Sequence, residues 1–387
     1  MIGAVDCTFI PKSGKSTYGL DWFHHGSANR VEKGLEVSVI AVIDVAAHQG
    51  YTLSVQQTAA TAAQQGTPPK QDPPQITPAT IAQLRSEFQQ LPAKEPLKTT
   101  LSQAELEQIQ AELQQLAQAP KTVTPTAEVT RVDQYLQQLQ KTRPHFPPKL
   151  RYLTMDGFYS KQKMVDGVVQ LNLHVISKLR VDANLRYLYS GEQKPKGRPR
   201  KYDGKVDLQD LSRFDFVKQL SADVHLYTAV VWHVSLKRAI RLALLVDTRQ
   251  PGKTGYVLLF STDLELDAEQ LLSYYKSRFQ IEFIFRDAKQ FTGLCDCQSR
   301  NAQKLDFHFN ASLSALNLAK CETQLRPSPS DTEPSAEPEP FSMASYKRIA
   351  FNEHLLNRFI TMLDLNPTSI KSHPNYQTLR AYGILAN

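Results

Sequence analysis

The sequence predicts an α/β protein in which strands come first and a long helix comes late. Residues 1–55 hold four short β-branched or aromatic runs divided by turn residues, and a second strand opens at Leu150 and ends on an acid. From Asp267 onward the apolar residues recur at helical rather than alternating spacing. A chain of 387 residues exceeds the usual size of one compact domain, so further lobes or insertions are expected.

The first runs are Ile2–Val5, Tyr18–Phe23, Leu35–Val45 and Tyr51–Val55, which read as a small antiparallel meander. Between the first two lies SGKST, a fragment of a phosphate-binding loop. That loop needs a glycine five residues before Gly14, and the residue there is Phe9, so the segment reads as a turn between strands. From Gln56 to about Pro148 the composition turns to Gln, Ala, Pro and Thr, with helical pieces at Thr80–Leu91 and Leu101–Ala119. This is expected to be a tethered, partly disordered insertion. Val132–Leu139 is an amphipathic helix leading back to the core, followed by a strand Leu150–Met155 that ends on Asp156. A helix around Lys161–Gly167, a strand Val169–Ile176 and another at Leu185–Tyr189 are expected next. QKPKGRPRKYDGK is a Gly/Pro/basic turn region, and strands near Phe214–Gln219, Val224–His233 and Arg238–Val246 complete a β-rich insertion. Gly255–Phe260 is a strand, and Asp267 begins a long helix that can run, with a kink or break, to Gln290. GLCDCQSRNAQKLDFHFNASLSALNLAK continues as the next helix.

No segment approaches the length of apolar residues needed to span a membrane and no signal peptide opens the chain, so a cytoplasmic protein without a membrane partner is expected. Cys7, Cys295, Cys297 and Cys321 lack zinc spacing and read as reduced structural thiols. The net charge is +7 with a pI near 9.0. Positive charge is concentrated: Arg143 to Lys205 holds fourteen Lys/Arg against five Asp/Glu, while Asp331 to Glu339 is acidic. A surface that neutralises phosphates needs such a concentration.

The helix LLSYYKSRFQIEFIFRDAKQ carries a charged stripe. With Tyr275 at zero and about 100° per residue, Arg278, Glu282 and Lys289 fall within an arc of about 60° that includes Tyr275. Leu272, Phe279, Phe283, Ile284, Phe285 and Ala288 make the other directions greasy, so the helix is expected to be buried and its charges partnered. Arg278 and Glu282 also stand at the spacing of an ordinary intrahelical ion pair.

The spacing Tyr-x2-Arg-x3-Glu-x6-Lys, after two isolated acids in VDCT and MDGFY, resembles the signature of the DDE transposases of bacterial insertion sequences, the insertion-sequence-four family. The resemblance extends over about residues 1–55, 130–190 and 255–320. It implies a ribonuclease-H-like mixed sheet flanked by helices, interrupted by the Gln/Pro-rich and β-rich insertions. The implied division is core at 1–55, 131–188 and 255–325, insertions at 56–130 and 189–254, and an acidic linker with a helical tail at 326–387. It also implies Asp6, Asp156 and Glu282 as catalytic ligands of two Mg²⁺ or Mn²⁺ ions, which would serve an in-line displacement at phosphorus. Tyr275, Arg278 and Lys289 would hold phosphates near the cleaved end. Double-stranded DNA, as transposon ends and target, and a homodimer on DNA are the implied partners. Arg198, Arg200 and Lys201, in GRPRKY, are further candidates for DNA contact; the segment reads as a basic surface turn and has the look of an AT-hook core.

Relatives in that family carry a helical DNA-binding domain before the first catalytic strand. With Asp6 so close to Met1, a truncated copy or a start assigned too late is expected. The alternatives are a catalytically idle remnant that binds DNA through 143–205, and a ribonuclease-H-like nuclease that does not transpose. Asp44 is a rival first ligand because it too ends an apolar strand. Trp232 is expected in the core, and His308 is expected to be structural although it could approach the site.

Overall fold

The computed structural model describes residues 1–26, 28–58, 130–325 and 341–384. The helices expected at Thr80–Leu91 and Leu101–Ala119, and the acidic stretch Asp331–Glu339, lie outside the described residues.

The meander is β1 (Ile2–Pro11), β2 (Asp21–His25), β3 (Arg30–Asp44) and β4 (Gln49–Thr58). Strands outrun their apolar runs because pairing continues: β1 stays in antiparallel register with β3 from Ile2↔Ile43 to Pro11↔Gly34. SGKST falls in the connection between β1 and β2, where Gly14 takes a φ of +98°, open to glycine without strain. Helix α1 (Arg131–Thr142) starts at a capping box in which Thr130 and Asp133 satisfy each other's backbone amides. Then come β5 (Tyr152–Met155), α2 (Gln162–Gln170) and β6 (His174–Leu179).

The strand expected from Val169 is a correction. Helix α2 continues to Gln170 because Met164, Val165 and Val168 are buried on one helical face, and β6 starts only at His174. The strands β7 (Leu185–Leu188), β8 (Tyr202–Lys205), β9 (Asp215–Ser221), β10 (Val224–His233), β11 (Arg238–Gln250) and β12 (Lys253–Ser261) follow. Within the expected basic turn, Tyr202–Lys205 pairs with β7 as a short strand. The long helix is two: α3 (Ala268–Ser277), capped by Asp267, and α4 (Gln280–Phe291). Next come α5 (Ala302–Leu325), α6 (Met343–Met362), α7 (Pro367–Lys371) and α8 (Pro374–Arg380).

All twelve described strands belong to one sheet, ordered β2-β3-β1-β5-β6-β12-β11-β10-β7-β8, with β4 also on β3 and β9 also on β10. The pairs β1–β5 and β5–β6 are parallel and the others antiparallel. This large mixed sheet with helices on it is consistent with a ribonuclease-H-like transposase core. The strands of the β-rich stretch continue the same sheet, since β11 pairs with β12 and β10 with β11.

Side chains alternate across the sheet and divide the core. Val5, Leu153, Met155 and Val175 pack with Tyr135 and Leu139 of α1 and Met164, Val165 and Val168 of α2. On the other side Ile2, Ala4, Val37, Val39 and Ala41 pack with Ile281, Ile284 and Ala288 of α4 and with Leu305, Phe309 and Leu313 of α5. Leu271 and Leu272 of α3 cover Ile176, Ala243 and Leu259.

Candidate active site

Period two decides where the acids point. Ile2 and Ala4 face α4, so Asp6, next in that series, faces it too, whereas Val5 and Cys7 face α1 and α2. The parallel register pairs Val5 with Met155. One step further on, Asp6 lies beside Asp156, at the carboxyl end of β5. Open α/β sheets characteristically place ligands beyond the carboxyl ends of parallel strands.

The third acid comes from the junction of α3 and α4. There the chain tightens to three-residue turns: Phe279 N–H donates to Lys276 O at 3.1 Å, Ile281 to Arg278 O at 3.0 Å and Glu282 to Phe279 O at 3.0 Å. Despite this break, Arg278 and Glu282 share a face. Arg278 Nη1 donates to Asp6 Oδ2 at 2.9 Å, and Nη2 donates to Glu282 Oε1 at 2.8 Å. The Arg278 side chain is only 12% exposed, its guanidinium carbon lies 5.8 Å from the centre of the Tyr275 ring, and its buried Nε has no hydrogen-bond partner among the described residues. Burial opposes its charge, but Asp6 and Glu282 prevail and hold its pKa above the ordinary value.

Burial pushes the Asp6 pKa up to about 6, against Arg278 and the Cys7 amide, which pull it down; Asp156 and Glu282 push it further up. Tyr275 is likewise raised, first by burial, with Arg278, Asp156 and Asp6 all within electrostatic reach. Asp6, Asp156, Tyr275, Arg278 and Glu282 thus form one electrostatic group. Lys289 does not join it: it is half-buried near Cys295 and makes no hydrogen bond or ion pair among the described residues. Burial lowers its pKa.

The turn carrying Asp156 is tied down from below. Ser177 Oγ of β6 donates to Asp156 O at 3.0 Å, and a Cβ on Gly157 would lie 3.2 Å from Lys178 O, so the turn sits hard against β6. Tyr159 Oη and Cys7 Sγ are 3.0 Å apart, and Tyr135 Oη donates to Glu36 at 2.7 Å in the same layer. The pair Cys7–Tyr159 links the strand of Asp6 to the turn of Asp156 from the face opposite the acids. The sequence carries no distinguishing signal for this link beyond the closeness of Tyr159 to Asp156 in MDGFY. Burial pushes the Cys7 thiol far up, which keeps it neutral and inert.

The other candidates resolve simply. Asp44 Oδ1 accepts from the amides of Ala46 and Ala47 and so closes the β3–β4 turn. His308 Nε2 donates to Gly293 O at 2.8 Å and joins α5 to the end of α4, a structural role. Trp232, expected in the core, is half-buried instead and packs its ring 5.7 Å from that of Tyr202, on the sheet's outer reach. The GRPRKY segment is a closed turn: Arg200 N–H donates to Gln193 Oε1, Gln193 Nε2 donates back to Arg200 O, and Arg200 also pairs with Asp203 at 2.6 Å. Arg198 and Lys201 are exposed beside it. All four cysteines are free.

The donors are three carboxylates, the oxygen set of a hard divalent cation. Among the described residues no three acidic, His or Cys side chains converge closely enough to hold an ion as they stand. A cationic group nevertheless occupies the position between two of them: the guanidinium of Arg278. The residues therefore fit a cation there, given a shift of Arg278. No helix of the described residues is long and apolar enough to cross a membrane.

Comparison with known proteins gives the family. No curated protein matches the chain. The family model described as the transposase DDE domain matches residues 120–318, just over half of the 387, and its span includes Asp156, Tyr275, Arg278, Glu282 and Lys289. The chain belongs to the transposase DDE domain family.

Proposed function

We propose that this transposase is of the insertion-sequence-four type and that it cuts the ends of a DNA element and joins them to target DNA. The observation that carries the reading is that Asp6 and Glu282, from distant parts of the chain, share Arg278, while Asp156 lies within electrostatic reach of Asp6. Asp6, Asp156 and Glu282 would hold two Mg²⁺ or Mn²⁺ ions, which when bound supply an activated attacking oxygen and stabilise the leaving one. Arg278 offers a forked donor to a phosphate in place of the carboxylates, and Tyr275 packs against it. Lys289 needs a rotamer directed away from Cys295 to join them. Arg198 and Lys201 present free cations to the DNA backbone, and two protomers would hold the two ends.

The experiment is an end-cleavage and plasmid-joining assay with Mg²⁺, comparing the chain with Glu282→Gln. The expected result is cleavage and strand-transfer product from the former and a loss of at least about a hundredfold in the variant. Equal background from both sinks the reading. Cleavage without any joined product would identify a nuclease instead.

A further inference from the structure

At the opposite reach of the sheet, β7 and β8 carry a feature that the acid group does not use. Arg186 of β7 stands directly across from Lys205 of β8. Like charges opposed across an antiparallel pair repel, and neither side chain has an ion pair or hydrogen bond among the described residues. Lys201 is equally free. The nearby acid, Asp203, is engaged by Arg200 at 2.6 Å and by Arg213 at 2.9 Å. Arg186, Arg200, Lys201 and Lys205 line a cleft of about 460 Å³ with Tyr202 and Gly204, and Asp203 is not part of that lining. The Arg186 guanidinium lies 5.3 Å from the Tyr202 ring centre, and Tyr202 in turn packs on Trp232. Arg186, Lys201 and Lys205 thus stand around the Tyr202 ring with no acid partner among the described residues, while Arg200 beside them is shared with Asp203.

We infer that this cleft is a second DNA-contact site, which seats backbone phosphates of the same duplex whose end lies at the acid group. It rests on the proposed function for the nature of the polyanion, and the distance adds something of its own. Six strand steps separate β5 from β8. At roughly 4.8 Å per step this is roughly 29 Å, or eight to nine base pairs at about 3.4 Å each. Arg186 and Lys205 therefore meet the duplex a little less than one helical turn from the cut, where they fix its direction without reading its sequence.

The test measures binding of the full chain to hairpin-closed duplexes of 6, 9, 12 and 20 base pairs by fluorescence anisotropy over a range of salt. Arg186→Ala with Lys205→Ala is compared with Lys304→Ala with Lys371→Ala, which removes two exposed cations elsewhere. For the unaltered chain and the control, affinity is expected to step up about tenfold once the duplex exceeds about nine base pairs, as both sites engage at once. The Arg186/Lys205 variant is expected to lose that step, and its salt slope on the 20-base-pair duplex to fall by about 2, one for each lost phosphate contact. An unchanged slope and affinity, or an equal loss at 6 and 20 base pairs, overturns the proposal. Persistence of the step beside equal cleavage by the Glu282→Gln variant would remove the catalytic reading and leave this site. Loss of cleavage in Glu282→Gln with no step would do the reverse, and a chain that binds no duplex overturns both.

Discussion

Asp6 shows at the scale of one residue how a site can oppose stability. Burial raises its pKa from 3.8 to about 6, so between those values the folded chain keeps a proton that the unfolded chain has released. Stability contributed by this group accordingly falls as pH rises from about 4 to about 6, and the penalty is fully present above that window. Asp6→Asn keeps an oxygen that can accept from Arg278 and removes the buried charge. In EDTA at pH 7.5 it is expected to be more stable than the unaltered chain by on the order of 1–2 kcal/mol, and to lack the decline between pH 4 and 6. Its cleavage activity is expected to be lost. Urea denaturation at pH 4 and pH 7.5 checks this, and a variant that is less stable at the higher pH would refute it. Asp6 is marked only weakly in VDCT; its direction followed from strand period, and its neighbour Asp156 from a register that no local pattern encodes.

At the scale of elements, α5 and β4 show how an edge strand is closed. Between Ile40 and Ala41 the β3–β4 register slips, so Ser54 and then Thr52 stand opposite consecutive residues of β3. The backbone of Thr52 is taken up by a side chain of α5: its N–H donates to Asn317 Oδ1 at 3.0 Å, and Asn317 Nδ2 donates to its carbonyl at 2.7 Å. One turn on, Lys320 Nζ donates to Gly50 O at 2.6 Å, and burial draws its pKa down to about 8. Asn317→Ala would strand both Thr52 groups in a half-buried groove and is expected to cost about 2 kcal/mol. Faster hydrogen exchange at the Thr52 amide, with that at Val39 in the sheet centre changed only by the global loss, is the check; unaltered exchange would count against it. Most elements were legible from local period: the meander, β5, β10, β11 and both helices of the signature segment. What was not legible has physical causes. VVQLNLHVI is apolar enough for either a helix end or a strand, and the packing of Val168 against the core decided it. Tyr202–Lys205 becomes a strand only because β7 is there to pair with it.

For the whole molecule, the fold does what composition could not foretell: it brings Asp6 and Glu282 onto one guanidinium, with Asp156 within electrostatic reach of Asp6. That guanidinium has two claims on it. While Arg278 neutralises Asp6 and Glu282, a divalent cation must displace it to reach them; a DNA phosphate, by drawing Arg278 away, leaves the acids repelling one another and short of positive charge. DNA and metal are then expected to favour each other's binding, and by linkage the effect must be the same in both directions. Titration with Mn²⁺, followed by its electron paramagnetic resonance, is expected to show affinity about tenfold higher with a 20-base-pair duplex present, and duplex affinity raised by the same factor in Mn²⁺. In Arg278→Gln the acids are already free of the guanidinium, so Mn²⁺ should bind well without DNA and the coupling should shrink towards unity. Independent binding in the unaltered chain would mean that Arg278 belongs to the carboxylates alone. Coupling that survives intact in Arg278→Gln would mean that the duplex acts through another group.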